Sequence, residues 1–157
     1  MMLSKKQGTL PAVCAGKSMP LSEMEDEAFS SGMLGVGYAI EPSEGVFFSP
    51  VNGKVESIPA SGHAYTLQSD KGLEILVHIG VDTVRLGGEG FEALVREGER
   101  IKMGDPIAKV DLDLIRSRGF SAKTAVLVTE ADSIGHIEFR FGSVTGVRDT
   151  VMTFRIK

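Results

Sequence analysis

Nineteen glycines are spread through this chain of 157 residues, and their placement constrains its fold more than any other feature. They fall between short apolar or β-branched runs: Gly32, Gly35 and Gly37, then Gly45, Gly53, Gly62, Gly72 and Gly80, then Gly87, Gly88, Gly90, Gly98 and Gly104. Such punctuation predicts many short strands, in an all-β sandwich or barrel. The six prolines are likewise dispersed among apolar runs, so the spacing reads as turns and not as disorder.

The length fits one domain with a sizeable core. A formal net charge of -4 leaves no basic excess to meet phosphates, which argues against nucleic acid as a partner. No apolar run is long enough to span a bilayer. The basic start, Met1 to Lys6, is not followed by the apolar stretch of a secretory signal. Cys14 is the one cysteine, so no internal disulfide forms and the cytosol is the expected compartment. Its small and apolar neighbours predict a buried, inert thiol.

Taken in order, residues 1–10 read as a flexible lead-in and 11–157 as a single domain. Strands are predicted at Thr9 to Ala15, into Ile40 after the loop at Gly32 to Gly37, at Val46 to Ser49 and at Gly53 to Ile58. Pro20 to Phe29 is an acidic loop with room for a helical turn. Phe91 to Arg96 has the composition of a helical turn. Glu99 to Val110 reads as strand, turn, strand, and Asp113 to Ser117 as a short helix. Thr124 to Thr129, Ile137 to Phe141 and Val151 to Ile156 complete the strands. Pro50 to Val55 and Gly98 to Asp105 faintly echo one another.

The run from Gly72 to Val84 sets His78 inside the most strand-like part of the chain, and His63 lies in an apolar run upstream of it. Ser69-Asp70-Lys71-Gly72 is a turn signal between them, so the two runs predict a β-hairpin. An even loop, centred between Asp70 and Lys71, puts His63 directly opposite His78. It pairs Ala64 with Val77, Thr66 with Ile75 and Gln68 with Leu73, and is the preferred register. An odd loop with a bulge at Gly72 would set His63 opposite Ile79.

A facing pair of imidazoles supports three chemistries. It leaves a tetrahedral zinc short of ligands, unless Asp82, Asp26 or a partner's carboxylate joins. It suits acid–base work. It also suits nucleophilic catalysis, one imidazole taking a group covalently while the other donates a hydrogen bond to it. His136 has no derivable partner and reads as structural. The Gly87 to Gly90 run lacks the Lys-Ser/Thr of a phosphate loop and reads as a turn.

The pattern Gly72, then Ile75-Leu76-Val77-His78-Ile79-Gly80-Val81-Asp82-Thr83-Val84, resembles the glucose-type IIA (EIIA) signature of the bacterial phosphoenolpyruvate-dependent sugar phosphotransferase system. The likeness runs over about residues 11–157. It includes Pro20-Leu21-Ser22, Asp26 with Phe29, Gly35 to Pro42, Ser49 to Gly53, Gly88 to Phe91 and Gly98 to Asp105. The resemblance implies a barrel-like β-sandwich, a duplicated hybrid motif of mostly antiparallel strands with one or two helical turns. It implies a phosphocarrier with a phosphohistidine intermediate and no cofactor. His78 would take a phosphoryl group on Nε2 from the histidine-containing phosphocarrier protein HPr. It would pass the group to a cysteine of a sugar-specific IIB domain, coupled to a membrane IIC permease. His63 would hydrogen-bond the phosphoryl oxygens, oriented by Ser61, which stands where many relatives have threonine. Gly80 offers a backbone carbonyl to His78, and Asp82 and Asp26 match flanking acidic residues. Phe29, Met33, Leu34, Leu76 and Val84 fall on an apolar docking rim, and Val36 replaces an acidic residue common in the glycine loop. Zinc on His63 and His78 with a partner's ligand would be regulatory. The implied location is cytoplasmic, with transient association at the permease, and the initiator methionine and lead-in suggest a free-standing chain.

Three other readings remain open: a lipoyl- or biotinyl-type carrier using Lys71 at the hairpin tip, a zinc peptidase, for which the His-x-His is missing, and a regulatory binding protein. Nothing in the sequence names a sugar.

Overall fold

The structure, a computed structural model, describes residues 6–157. The first strands are β1 (Gln7–Pro11) and β2 (Gly16–Pro20), followed by a 3-10 turn at Leu21–Glu23 and α1 (Glu27–Ser30). Then come β3 (Val36–Pro42), β4 (Val46–Phe48), β5 (Gly53–Ser57), β6 (Ala64–Ser69), β7 (Glu74–Ile79) and a 3-10 turn at Thr83–Leu86. β8 (Phe91–Ala93), β9 (Arg100–Ile101), β10 (Pro106–Val110) and α2 (Leu112–Ser117) lead to β11 (Thr124–Val128). After a 3-10 turn at Ala131–Ser133, β12 (Ile134–Phe139), β13 (Gly142–Val144) and β14 (Thr150–Ile156) end the chain.

Among the described residues all strand pairs are antiparallel. One large sheet has the order β13-β2-β3-β11-β7-β6-β5-β9, and two small ones the orders β1-β14-β12 and β4-β10-β8. A single core joins them: Leu10, Met152 and Phe154 from the first small sheet, Phe47 and Ile107 from the second, and Tyr65, Leu67, Ile75, Val77 and Val126 from the large one. This is the expected all-β barrel-like sandwich with two short helices. A second cluster lies on the other face of the large sheet, where Leu21, Met24 and Phe29 cover Ala39, Ala125 and Leu127. With apolar cover on both faces, β11 is buried along its whole length, hence its unbroken run Thr124-Ala125-Val126-Leu127-Val128. Cys14 is fully buried and its thiol is pushed up to about 12, chiefly by that burial, so the expectation of an inert thiol holds.

Four expectations need correction. The lead-in over residues 1–10 is not flexible from Gln7 onward, because Gln7 to Pro11 is β1, pairing along β14 from Arg155 to Thr150; residues 1–5 lie outside the described residues. Phe91 to Arg96 is not helical. A segment that short does not nucleate a helix on its own, whereas Phe91 to Ala93 finds backbone partners along β10 and Leu94 N–H donates to Ile107 O at 2.9 Å. Beyond Phe139 the chain turns at Gly142 (φ 135) into β13, a separate strand that the sequence did not announce.

The fourth correction is the hairpin register. β6 and β7 pair Ala64 with His78, Thr66 with Leu76 and Gln68 with Glu74, so His63 falls opposite Ile79 and is not the direct cross-strand partner of His78; Ile79 N–H donates to His63 O at 2.7 Å. The loop is odd. Asp70, Lys71 and Gly72 lie between Ser69 and Leu73, which are joined by Leu73 O at 2.8 Å from Ser69 N. Gly72 takes φ 84, a left-handed conformation open to glycine at little cost. The echoed segments, by contrast, are spatial neighbours: Gly53 pairs with Ile101 and Lys54 with Arg100.

Candidate functional site

Alternation along β7 decides where His78 points. Ile75, Val77 and Ile79 are buried in the main core, while Glu74, Leu76 and His78 face the other way and are partly exposed. His78 is flanked across the sheet by Ala64 on β6 and Ala125 on β11. These small neighbours leave room for the ring, and Phe29 of α1 packs against it with centroids 4.8 Å apart and planes at 52°. Asp26 caps α1, accepting from Ala28 N–H at 2.9 Å.

The register slip would turn a regular strand residue to the opposite face. His63 escapes this because it precedes β6, where Gly62 (φ 67) redirects the chain. Its ring therefore meets that of His78 edge to face, with centroids 5.0 Å apart and planes at 81°. The structure thus brings the two histidines together by a route other than the one the turn count suggested.

Each ring is held at Nδ1. His78 Nδ1 lies 2.9 Å from Gly80 O. A carbonyl only accepts, so Nδ1 carries the hydrogen and Nε2 is left with a lone pair. His63 Nδ1 lies 2.5 Å from Ser61 Oγ. Burial holds His78 below the ordinary imidazole range, opposed by the Gly80 carbonyl and by the charges of Asp26 and Asp82. His63 is pushed down to about 4, by burial first and by the charge of His78 second.

Gly80 has φ 82, and a Cβ there would stand 2.3 Å from Thr83 Cγ2 and 2.9 Å from Ser121 O. Thr83 is fully buried and its hydroxyl donates to Ile79 O at 2.5 Å, tying the 3-10 turn to the end of β7. Val81 N–H donates to Ser121 O at 3.0 Å. Thr83 and Ser121 thus fix the Gly80 carbonyl, a role that the sequence reading did not assign them; the place of Thr83 inside the signature was the available signal. Lys123 was also missed. It donates to Glu23 O at 3.1 Å and to Glu25 Oε1 at 2.8 Å, fastening the acidic loop beside the site.

The expected rim divides by exposure. Met33 is 78% exposed, Val84 55% and Leu34 39%. Phe29, at 3%, is the floor beneath His78 and not an open rim residue, because its helix presses it onto Ala125 and Leu127. Leu76 is half-buried and packs against that same cluster. Asp82 stands in a left-handed conformation (φ 59) at the head of the 3-10 turn. Val36 opens β3 and is half-buried. His136, at φ 50, lies in β12 away from the pair. Lys71 donates to the Gln7 carbonyl.

Two imidazoles are half of the four donors of a tetrahedral zinc, and among the described residues no three His, Cys, Asp or Glu groups gather as a metal site. A groove of about 500 Å3 lies along Thr9, Thr153 and Glu138 and contains neither histidine. Among the described residues no helix is long and apolar enough to cross a membrane.

The family model described as phosphoenolpyruvate-dependent sugar phosphotransferase system, EIIA 1, matches residues 8–134. Among solved structures, glucose permease IIA from Mycoplasma capricolum is similar at a TM-score of 0.90 and 35% sequence identity, over 98% of this chain and 99% of that one. A shared fold over nearly the whole of both chains, together with the family match, makes this chain a member of the EIIA 1 family of the phosphoenolpyruvate-dependent sugar phosphotransferase system, and so a phosphotransferase component.

Proposed function

We propose that residues 7–157, from the start of β1, form one phosphocarrier domain and that His78 Nε2 is the atom that carries the phosphoryl group. The observation behind this reading is the bond between His78 Nδ1 and Gly80 O, which leaves Nε2 as the bare nitrogen of a neutral ring. A neutral imidazole is a nucleophile and an imidazolium is not. In the proposed step, the Nε2 lone pair attacks the phosphorus of phospho-HPr in line. A new N–P bond forms as the donor's N–P bond breaks, and the donor imidazole keeps the electron pair. The carbonyl of Gly80 stabilises the positive charge that the His78 ring gains.

His63 acts on the phosphoryl oxygens. Held at Nδ1 by the Ser61 hydroxyl, it presents Nε2–H as a donor while staying uncharged. The second transfer reverses the first, with a cysteine thiolate of a IIB domain as nucleophile and His78 as leaving group. Met33, Leu34 and Val84 are open apolar residues that fit docking to both partners. This reading needs no metal. A zinc on His63 and His78, completed by a partner, would occupy the nitrogen that transfer requires and would be regulatory. The proposed location is cytoplasmic, with transient contact at a membrane permease.

The test is phosphotransfer from phosphoenolpyruvate through the general enzyme and HPr. The expected product is an acid-labile, base-stable phosphohistidine, absent in His78→Ala. His63→Ala is expected to accept phosphate and to fail in passing it to a IIB domain. Undiminished labelling of His78→Ala would show that another residue is the acceptor.

A further inference from the structure

The small sheet β1-β14-β12 ends at β12, whose outer side has no strand against it among the described residues. β12 pairs Glu138 with Thr153 and Phe139 with Met152, and Arg140 N–H donates to Val151 O at 2.7 Å. Alternate residues of an antiparallel strand turn their N–H and C=O groups to opposite sides. Glu138 and Arg140 therefore address β14, and Phe139, between them, turns both backbone groups to the open edge.

The side chains along this edge are unusual for one left bare. Phe139 and Phe141 are 39% and 41% exposed and stack on each other, centroids 5.1 Å apart with planes at 17°. Open edges are ordinarily blunted by bulges, prolines or charges that repel a second copy. A bulge between Gly135 and Glu138 does blunt the start of β12. Beyond it the sequence is Ile137-Glu138-Phe139-Arg140-Phe141, where charges of opposite sign flank a central phenylalanine. Among the described residues neither Glu138 nor Arg140 forms an ion pair within the chain.

We propose that this segment pairs antiparallel with the same segment of a second copy of the chain, about a twofold axis through Phe139. In that register Phe139 meets the partner's Phe139 and the two exchange both backbone hydrogen bonds, as their outward groups allow. Glu138 meets the partner's Arg140, Arg140 meets the partner's Glu138, and Ile137 meets the partner's Phe141. An axis through Glu138 or Arg140 would instead set like charges face to face. The two small sheets become one sheet of order β1-β14-β12-β12-β14-β1. His78 lies on the large sheet and His63 just ahead of β6, and both are untouched, so this interface is independent of the phosphotransfer reading.

Sedimentation velocity over a concentration series tests it. The wild-type chain is expected to dimerise as concentration rises. E138R and R140E, both surface changes, are each expected to stay folded by circular dichroism and to remain monomeric, because each sets like charges opposite one another. An equimolar mixture of the two variants is expected to recover the dimer, since each chain then meets charges opposite to its own. A wild-type chain that stays monomeric up to about 1 mM, near the weak limit of specific association, overturns the proposal. So does a variant that dimerises alone, or a mixture no more dimeric than its components.

Discussion

His78 and Gly80 are bound to each other by a ring nitrogen and a carbonyl oxygen 2.9 Å apart, and the same glycine bears a backbone conformation (φ 82) and a packing distance that exclude a side chain. The residue that sets the tautomer of the proposed nucleophile is therefore also the one that fixes the end of β7. Orientation and chain path are a single constraint here.

Gly80→Ala is expected to fail on both counts. Its Cβ would press on Thr83 Cγ2 and the Ser121 carbonyl, and neither gives way freely: Thr83 is fully buried and Ser121 O is backbone. With the left-handed φ added, the cost is about 2–4 kcal/mol. Urea denaturation measures it. The surviving folded fraction should show slower phosphorylation, because the Gly80 carbonyl has moved from His78 Nδ1. A variant as stable and active as wild type would show that the carbonyl does not set the ring.

Ser61→Ala separates the two histidines. It removes the hydroxyl 2.5 Å from His63 Nδ1 and leaves the bond from His78 to Gly80 in place. Phosphorylation of His78 is expected to change little. Onward transfer should slow about tenfold, the worth of one hydrogen bond of roughly 1.4 kcal/mol. Ser61→Thr, which keeps a hydroxyl, should restore the rate. Single-turnover transfer to a IIB domain reads this directly.

Phe29→Ala removes a 3%-exposed ring from between α1 and the large sheet. The cavity should cost about 3–5 kcal/mol. It also withdraws the ring packed, tilted, against His78 with centroids 4.8 Å apart. Phe29→Leu keeps most of the volume and is expected to cost less, while still losing the ring contact. Comparing the two by denaturation and by phosphorylation rate separates packing from ring orientation.

The fold was legible where side-chain pattern alone decides it. The glycine spacing announced short strands, and the turn signal at Ser69 to Gly72 announced the hairpin of β6 and β7. The register was not legible, because it hung on one residue, Gly72, whose left-handed turn makes the loop odd. The pairing of His63 with His78 was anticipated for an incorrect reason: it arises from the irregular approach at Gly62, which no periodicity encodes. Phe91 to Ala93 was misread because its strand exists through β10, a partner distant in sequence. The floor position of Phe29 was hidden for a related reason. Only the packing of α1 on Ala39, Ala125 and Leu127 determines that it is covered.

The histidine pair also gives the chain a pH dependence with a definite sign. Burial lowers His78, and burial together with the charge of His78 lowers His63 to about 4, whereas an unfolded histidine titrates near ~6.5. Between those values the unfolded chain binds protons that the folded chain refuses. For His63 the stabilisation from keeping the ring neutral is thus complete above about pH 6.5 and is lost as pH falls toward 4, with a slope of up to about 1.4 kcal/mol per pH unit, and His78 adds to it in the same direction. Denaturation at several pH values should show this slope, and His63→Gln should make it shallower, since carboxylates contribute equally to both proteins. Phosphorylation should hold its rate to lower pH than an ordinary imidazole would allow, because burial lowers His78. A rate that halves near pH 6.5 with HPr held fully phosphorylated would mean that His78 titrates as an exposed imidazole, and the tie to Gly80 and the cover of Phe29 would not be controlling it.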